Sequence, residues 1–314
     1  MLISVVVPLF NEEENVNPLH ESISKNLNEA DFDYEVIYVD DGSTDGTLPL
    51  LEAVQAEDEK VIVISLRRNF GQTAAFAAGF DFARGDVIVT MDGDLQNDPR
   101  DIPRLISMMD SYDLVSGWRK KRKDPFFSRR LPSMTANYII SKVTGVSLHD
   151  YGCSLKAYKR DVIKNIRLYG EMHRFIPAVA SWYGVRVGET ETIHHPRLRG
   201  KSKYGLSRTV KVVLDLITVK FLQSFSTKPI QFFGPMGLIS GMLGFLILLY
   251  LSVEKLFFGA SIGGRPLLLL GALLVIVGIQ MIGMGLISEM LVRVYHESQR
   301  KPIYVVKRIF GTEK

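Results

Sequence analysis

Two carboxylates one residue apart, Asp92-Gly93-Asp94, followed by Leu95-Gln96, are the residues of this chain best suited to a hard divalent cation. Oxygen ligands on a turn, with a glycine between them for close approach, suit an ion that keeps several waters and bridges diphosphate oxygens. An Asp-Gly-Asp turn in isolation has a purely structural reading as well. Its place decides between them: it follows an apolar strand and stands in register with other polar strand ends, Pro8-Leu9-Phe10-Asn11-Glu12 and Asp40-Asp41-Gly42-Ser43. No GxGxxG follows the first strand and no GxxxxGK[ST] occurs, so phosphate handling falls to a metal ion, to Arg and Lys, or to both. A second set of groups is cationic. Ser116 to Lys123 and Ser128 to Ser133 together carry seven basic residues. Such a run reads either as a solvated face or as a set of guanidinium forks for a phosphate monoester.

The elements that must position these groups alternate. Ile3–Val7, Glu35–Val39, Val61–Ser65 and Val87–Met91 predict strands, and the helical stretches run near Glu13–Asn28, Thr47–Ala56, Thr73–Ala83 and Pro99–Met109. Near-continuous apolar strands separated by helices predict a mostly parallel α/β sheet covered on both faces. Ligands of such sheets bind beyond the carboxyl ends of the strands, which is where the acidic segments fall.

The second half of the chain has a different character. Pro229 to Val253 holds no charged residue over 25 positions, and Pro266 to Ser288 none over 23. At about 1.5 Å per residue either run spans the roughly 30 Å of bilayer hydrocarbon as a helix, so the pair predicts a transmembrane hairpin. Gly237 and Gly241 form a small-xxx-small pair expected to seat the second helix. Arg197 to Lys228 carries eight Lys/Arg against Asp215 alone, and the tail adds Arg293, Arg300, Lys301, Lys307 and Arg308. Both flanks are therefore expected on the cytoplasmic side, with the protein integral to the inner or plasma membrane. The start, MLISVVVPLF, lacks a basic n-region and does not read as a signal peptide. Leu206 to Phe225 predicts an amphipathic helix at the headgroups. The expected division is a catalytic domain over 1–204, an interfacial region over 205–228, two spans over 229–290 and a cytoplasmic tail over 291–314.

Composition sets the remaining bounds. The 314 residues are 46% hydrophobic and 23% charged, with 38 Lys+Arg against 34 Asp+Glu. That excludes a disordered or disulfide-dense chain, and a net charge of +4 is too small to argue for nucleic acid. The lone Cys153 permits neither an intrachain disulfide nor a thiolate cluster and reads as a small buried hydrophobe. His194 and His195 are adjacent on an extended segment, point to opposite faces and cannot chelate together.

In order along the chain, Pro8-Leu9-Phe10-Asn11-Glu12, Asp40-Asp41-Gly42-Ser43-Thr44-Asp45-Gly46-Thr47, Arg68-Asn69-Phe70-Gly71 and Asp92-Gly93-Asp94-Leu95-Gln96 resemble family 2 glycosyltransferases of the GT-A fold. With the C-terminal hairpin the resemblance narrows to the polyprenyl-phosphate glycosyltransferases, the group of dolichol-phosphate mannose synthase and bactoprenol glucosyltransferase. It implies a Rossmann-like cytosolic domain with amphipathic interfacial helices and a two-helix membrane hairpin. It also implies that Pro8, Phe10, Asn11, Glu12, Asp40, Asp41 and Asp92 bind the nucleotide sugar. Asp94, Gln96 and Asp92 would hold Mg²⁺ or Mn²⁺. Arg119, Arg129, Ser133, Arg197 and Lys203 would bind the acceptor phosphate, with Arg122 and Lys123 assigned to headgroups. The implied catalytic set is Asp92, Asp94, Arg119, Arg129, Ser133 and Arg197.

Asp150 to Lys156 also resembles a family segment that shapes the sugar site, whereas Gln72 carries no readable sugar code. Trp182 lies in Ala180-Ser181-Trp182-Tyr183, which is not the Gln-x-x-Arg-Trp element of processive synthases and argues against chain polymerisation. The implied reaction is inverting transfer of a single sugar, expected to be glucose from UDP-glucose, to polyprenyl (undecaprenyl) phosphate. A homotetramer is expected, with a tail strand near Lys301–Val306 exchanged between subunits. A membrane-anchored transferase with a saccharide or protein acceptor, and a non-catalytic nucleotide-sugar-binding scaffold, are the competing readings.

Overall fold

A computed structural model describes residues 1–30, 32–120, 131–166, 168, 172–196, 230–259, 261–298 and 302–311. Arg122, Lys123, Arg129, Arg197, Lys203 and the segment from Leu206 to Phe225 lie outside the described residues. The chain divides into two compact units, Met1–Val219 with Pro302–Lys314, and Lys220–Lys301.

In the first unit, β1 (Leu2–Leu9) buries Ile3 through Val7 one after another, as a strand covered on both faces must. It lies between β2 (Asp33–Asp40) and β4 (Val87–Thr90), parallel to both, and β2 pairs in parallel with β3 (Val61–Leu66). The two-residue period sends Val5 and Val7 to one core, with Leu19, Ile23 and Leu27 of α1 (Val16–Glu29). Val6 goes to the other, with Ala74, Ala75 and Ala78 of α3 (Gln72–Phe82). Small residues let α3 lie close to the sheet: a Cβ on Gly79 would meet Val6 Cγ1 at 2.2 Å. α2 (Thr47–Glu57) connects β2 to β3. The expected strands and helices of this half are present at nearly the predicted positions.

The expectation of a mostly parallel sheet fails beyond β4. Among the described residues the sheet has eight strands, in the order β7-β5-β6-β4-β1-β2-β3-β8. After the short α4 (Ile102–Ser107), β5 (Leu114–Trp118) and α5 (Leu131–Thr144), the chain enters β6 (Lys156–Lys159) from a loop. That loop delivers β6 antiparallel to both β4 and β5. The brief helices α6 (Arg160–Lys164) and α7 (Ile176–Ser181) then lead to β7 (Val187–Glu191), which pairs in parallel with β5.

The tail returns to this unit. β8 (Val306–Phe310) pairs antiparallel with β3 of its own chain and covers an edge that would otherwise expose unpaired backbone groups. The strand begins at Val306, where the sequence reading ended it. Just before it, the buried Tyr304 donates its hydroxyl to Asp81 Oδ2 at 2.6 Å.

The second unit is a helical hairpin of α8 (Ile230–Phe258) and α9 (Pro266–Ser298). Gln231–Phe258 and Pro266–Ser288 are long and apolar enough to cross a membrane, with mean hydropathies of 2.1 and 2.5. Few of their residues are buried, which is how a helix whose apolar side chains face lipid differs from a soluble core helix. The glycine seat includes the expected pair and extends beyond it. A Cβ on Gly237 would strike Gly278 O at 2.7 Å and one on Gly244 would strike Gly271 O at 2.6 Å, whereas one on Gly241 meets nothing within 4 Å. Gly241 belongs to the seat through its backbone, because a Cβ on Gly278 would strike Gly237 O at 2.6 Å and Gly241 N at 2.7 Å; the expected pair seats the second helix, and Gly244 extends the contact.

Candidate active site

The parallel strands β1, β2 and β4 bring three of the four motifs to one edge of the sheet, and hydrogen bonds fasten the first two together. Asn11 has φ +52° and Leu95 φ +61°, the two non-glycine residues with positive φ among those described, and each lies in a strand-end motif. Such backbone strain concentrates where a site over-determines its geometry. Asn11 donates its N–H to Ser43 Oγ at 3.0 Å and accepts the Thr44 N–H on Oδ1 at 2.8 Å. The Glu12 N–H reaches Thr47 Oγ1 at 2.9 Å, and the Glu12 carboxylate accepts from Asn15 Nδ2 at 2.6 Å. Pro8 and Phe10 lie on the same edge.

The Asp40-Asp41 pair is buried. Asp40 accepts the Ser43 N–H at 3.0 Å and the Ser65 hydroxyl at 3.2 Å. Asp41 accepts two backbone N–H groups, from Phe70 at 2.7 Å and Gly71 at 2.9 Å, and so fixes the loop that opens α3. Burial pushes the Asp41 carboxyl above its ordinary value, with those two bonds working against the shift. Gly42, at φ +72°, admits the same loop: a Cβ there would lie 2.4 Å from the Arg68 carbonyl carbon. Arg68 stacks its guanidinium 4.2 Å over the Phe70 ring.

The Asp92-Gly93-Asp94 turn is held differently. The Asp92 N–H donates to Asn97 Oδ1 at 3.1 Å, and Asp92 Oδ1 accepts from Gln72 Nε2 at 2.7 Å. Burial first and Asp94 second raise the Asp92 carboxyl above its ordinary value. A Cβ on Gly93 would meet Leu9 Cδ2 at 2.4 Å, so the glycine lets the turn close against the end of β1. Asp94 Oδ1 accepts the Gln96 N–H at 3.2 Å. No group of three or more His, Cys, Asp and Glu able to hold an ion occurs among the described residues. Asp92, Asp94 and the Gln96 amide are nevertheless an all-oxygen set that fits Mg²⁺ or Mn²⁺ if a diphosphate and water supply the remaining ligands.

Behind this turn the loop before β6 carries buried charge. Arg119 makes a two-pronged pair with Asp150, Nε to Oδ2 at 2.7 Å and Nη2 to Oδ1 at 2.9 Å. Burial opposes its charge, but Asp150 keeps the guanidinium firmly protonated. Ser154 Oγ donates to Asn97 Oδ1 at 2.9 Å, and Thr90 Oγ1 to the Ser154 carbonyl at 2.6 Å. Lys156 is buried with its ammonium on the carbonyls of Tyr151 and Cys153, and burial pulls its pKa below the ordinary value. Cys153 is buried, as expected. The backbone of Ser133 falls in α5; its side chain, like Arg129, Arg197 and Lys203, lies outside what is described.

Sequence reasoning missed Asn97; it named Gln72 without a role and placed Ser154 and Lys156 only within the segment expected to shape the sugar site. Asn97 had a signal, closing an Asp-x-Asp-x-x-Asn run. The other three act across the fold. His195, set aside as a ligand, has its N–H on the Gln96 carbonyl at 3.0 Å and its Nε2 2.8 Å from Asp98 Oδ2, which ties its segment to the acidic turn.

The model of the family described as Glycosyl transferase family 2 matches residues 4–167, the stretch that contains every one of these strand ends. The chain belongs to this family. The glycosyltransferase is 49% identical to dodecaprenyl-phosphate galacturonate synthase of Rhizobium johnstonii over 99% of this chain and 94% of that protein. It is 38% identical to undecaprenyl-phosphate 4-deoxy-4-formamido-L-arabinose transferase of Proteus mirabilis over 99% of this chain and 95% of that one. These relatives are polyprenyl-phosphate glycosyltransferases, matched through the hairpin as well as the catalytic domain. Among solved structures, glucosyl-3-phosphoglycerate synthase from Mycobacterium tuberculosis, in complex with Mn²⁺, UDP and glucosyl-3-phosphoglycerate, superposes with a TM-score of 0.55. That match has 18% identity, covers 71% of this chain and 79% of that one, and identifies the GT-A fold.

Proposed function

We propose that this glycosyltransferase moves one sugar from a UDP-sugar to a polyprenyl phosphate at the cytoplasmic face of the membrane, inverting the anomeric configuration. The observation that carries the reading is the end-to-end similarity to enzymes named for polyprenyl-phosphate acceptors, in a chain whose strand-end motifs meet at one edge of the sheet. Neither relative is named for glucose, so the glucose expectation gives way to a hexuronate, supported by the 49% identity to a galacturonate synthase. The basic flanks of the hairpin support a cytoplasmic catalytic domain. The homotetramer remains part of this proposal, without an exchanged strand, because β8 fills the edge of β3 in its own chain.

An oxygen of the acceptor phosphate attacks the anomeric carbon as the bond from that carbon to the diphosphate breaks, and the nucleoside diphosphate departs with the electron pair. A phosphate monoester, with a second pKa of about 6, is already anionic at neutral pH, so no strong base is required. Asp94 and Gln96, with Asp92, would hold Mg²⁺ or Mn²⁺, which supplies charge neutralisation on the leaving diphosphate. The strand-end segments of β1 and β2 frame the nucleotide. Arg119, fixed by Asp150, adds positive potential beside Asp92, and with Arg129, Ser133, Arg197 and Lys203 it is assigned to the acceptor phosphate.

The test is a donor panel: purified enzyme in mild detergent with undecaprenyl phosphate, Mn²⁺ or Mg²⁺ and labelled UDP- and GDP-sugars, with label counted in the chloroform extract. Label entering lipid from UDP-galacturonate, and lost with EDTA, is the expected result. Label from a different donor overturns the sugar. Donor hydrolysis without lipid labelling overturns the acceptor in favour of a saccharide or protein, and donor binding without turnover favours a scaffold.

A further inference from the structure

The first turn of α3 links the two acidic regions of the site. Its entry loop is clamped by Asp41 through the Phe70 and Gly71 N–H groups, and Gly71 has φ +95°, a conformation glycine tolerates. The next residue, Gln72, donates Nε2–H to Asp92 Oδ1 at 2.7 Å. Thr73 follows, with its hydroxyl 2.8 Å from Nδ1 of the buried His173 in a 3-10 turn at Met172–Arg174. Arg174 Nε donates to His173 Nε2 at 3.3 Å, so the proton is on Nδ1 and the neutral imidazole donates to Thr73. One helical turn is thus fixed at β2, at β4 and at the segment before α7.

The bond to Asp92 has a chemical logic that a structural cap lacks. A carboxylate beside a cation site must keep lone pairs for the ion and must not rotate. A neutral amide donor satisfies both conditions, because it occupies one lone pair and adds no charge to compete with the ion. A lysine or arginine there would neutralise the acid, and a glutamate would repel it. Gln72 is also the one contact to this carboxylate that originates in the helix clamped by Asp41.

We propose that Gln72 is a positioning residue: it locks the Asp92 carboxylate for a divalent cation and diphosphate and couples that site to the nucleotide side through α3. This rests on the reading of the site as a metal–nucleotide centre but does not depend on which sugar or acceptor is used.

The experiment compares full-length wild type with Gln72→Met and Gln72→Glu, both close to glutamine in size. Mn²⁺ binding in the presence of UDP is read by electron paramagnetic resonance, UDP binding without metal by calorimetry, and turnover as separate kcat and KM values. Gln72→Met is expected to weaken Mn²⁺ binding about ten- to a hundredfold, the range for losing a hydrogen bond to a charged group. It should lower kcat in proportion and leave metal-free UDP binding and the KM for polyprenyl phosphate within about twofold. Gln72→Glu should not recover the wild-type kcat, because a carboxylate has no N–H to donate to Asp92. Thr73→Val, which breaks the neighbouring bond to His173, should leave Mn²⁺ affinity within about twofold.

Unchanged Mn²⁺ affinity in Gln72→Met overturns the proposal. An equal loss in Thr73→Val also overturns it, because the effect is then a general displacement of α3. If the donor panel yields no lipid-linked sugar while Mn²⁺ binding still depends on Gln72, the proposed reaction fails and this inference stands.

Discussion

Asp40-Asp41 and Asp92/Asp94 are acidic groups at the ends of strands two places apart in the same sheet, and their surroundings give them different work. Backbone N–H groups and a buried serine take up the oxygens of Asp40 and Asp41, so those carboxylates hold loops in place. Asp92 accepts from a neutral side-chain amide, and Asp94 from one N–H within its own turn. Asp41 clamps the loop that opens α3, whereas Asp92 and Asp94 are the pair proposed to hold a cation. Residue type and strand-end position alone do not separate the two.

The comparison is most sharply tested by Asp94→Ala. Turnover should fall on the order of a hundred- to a thousandfold while thermal stability in detergent changes little, because Asp94 is proposed to hold the cation that neutralises the leaving diphosphate. A large loss of melting temperature would instead put Asp94 with the loop-clamping pair. Asp41→Ala should do the reverse, destabilising the catalytic domain by about 2–3 kcal/mol as the Phe70 and Gly71 N–H groups lose their partner. Denaturant unfolding followed by intrinsic fluorescence reads that change, and unaltered stability would remove Asp41 as a loop clamp.

Tyr304→Phe extends the contrast to the returning tail. Losing the bond to Asp81 should cost about 1 kcal/mol and raise hydrogen exchange in β8 and β3 before it affects the Asp92 turn.

The smallest effect is one of pH. Burial raises the Asp41 pKa, so the protonation-linked part of its contribution to stability is complete below 3.8, the unfolded value, and is lost as pH rises through the folded value. Asp98 has the opposite sign. Burial opposes its charge, but bonds from Arg100 and His195 hold its carboxyl well below the ordinary range, so its contribution is present above 3.8 and lost as pH falls towards the folded value. Difference curves of stability for Asp41→Asn and Asp98→Asn against wild type should therefore slope in opposite directions, and parallel slopes would contradict the assignment.

The parallel half of the sheet was legible because its strands are continuous apolar runs bounded by polar motifs, and β1 to β4 lie almost where those runs predict. The mixed half was not: β6 is four residues long, and the reversal of direction comes from a loop without its own periodic signature. The hairpin was read from charge-free length, but the partners of its glycines depend on how two helices face, so Gly244 and Gly271 came only with the packing. Gln72 looked uninformative in sequence because its partner is 20 residues away, on another strand.

The sequence alone determined the family, the acidic strand ends, the candidate cation ligands and the two apolar spans, because each is written in contiguous residues with a strong chemical or periodic signal. Only the tertiary structure decided which carboxylates clamp loops, which amide holds Asp92, that Arg119 is paired with a buried Asp150, and that the tail returns to β3. Those are contacts between segments distant along the chain, and hydrogen-bond geometry and burial, which sort one aspartate from another, exist only after the chain has brought them together.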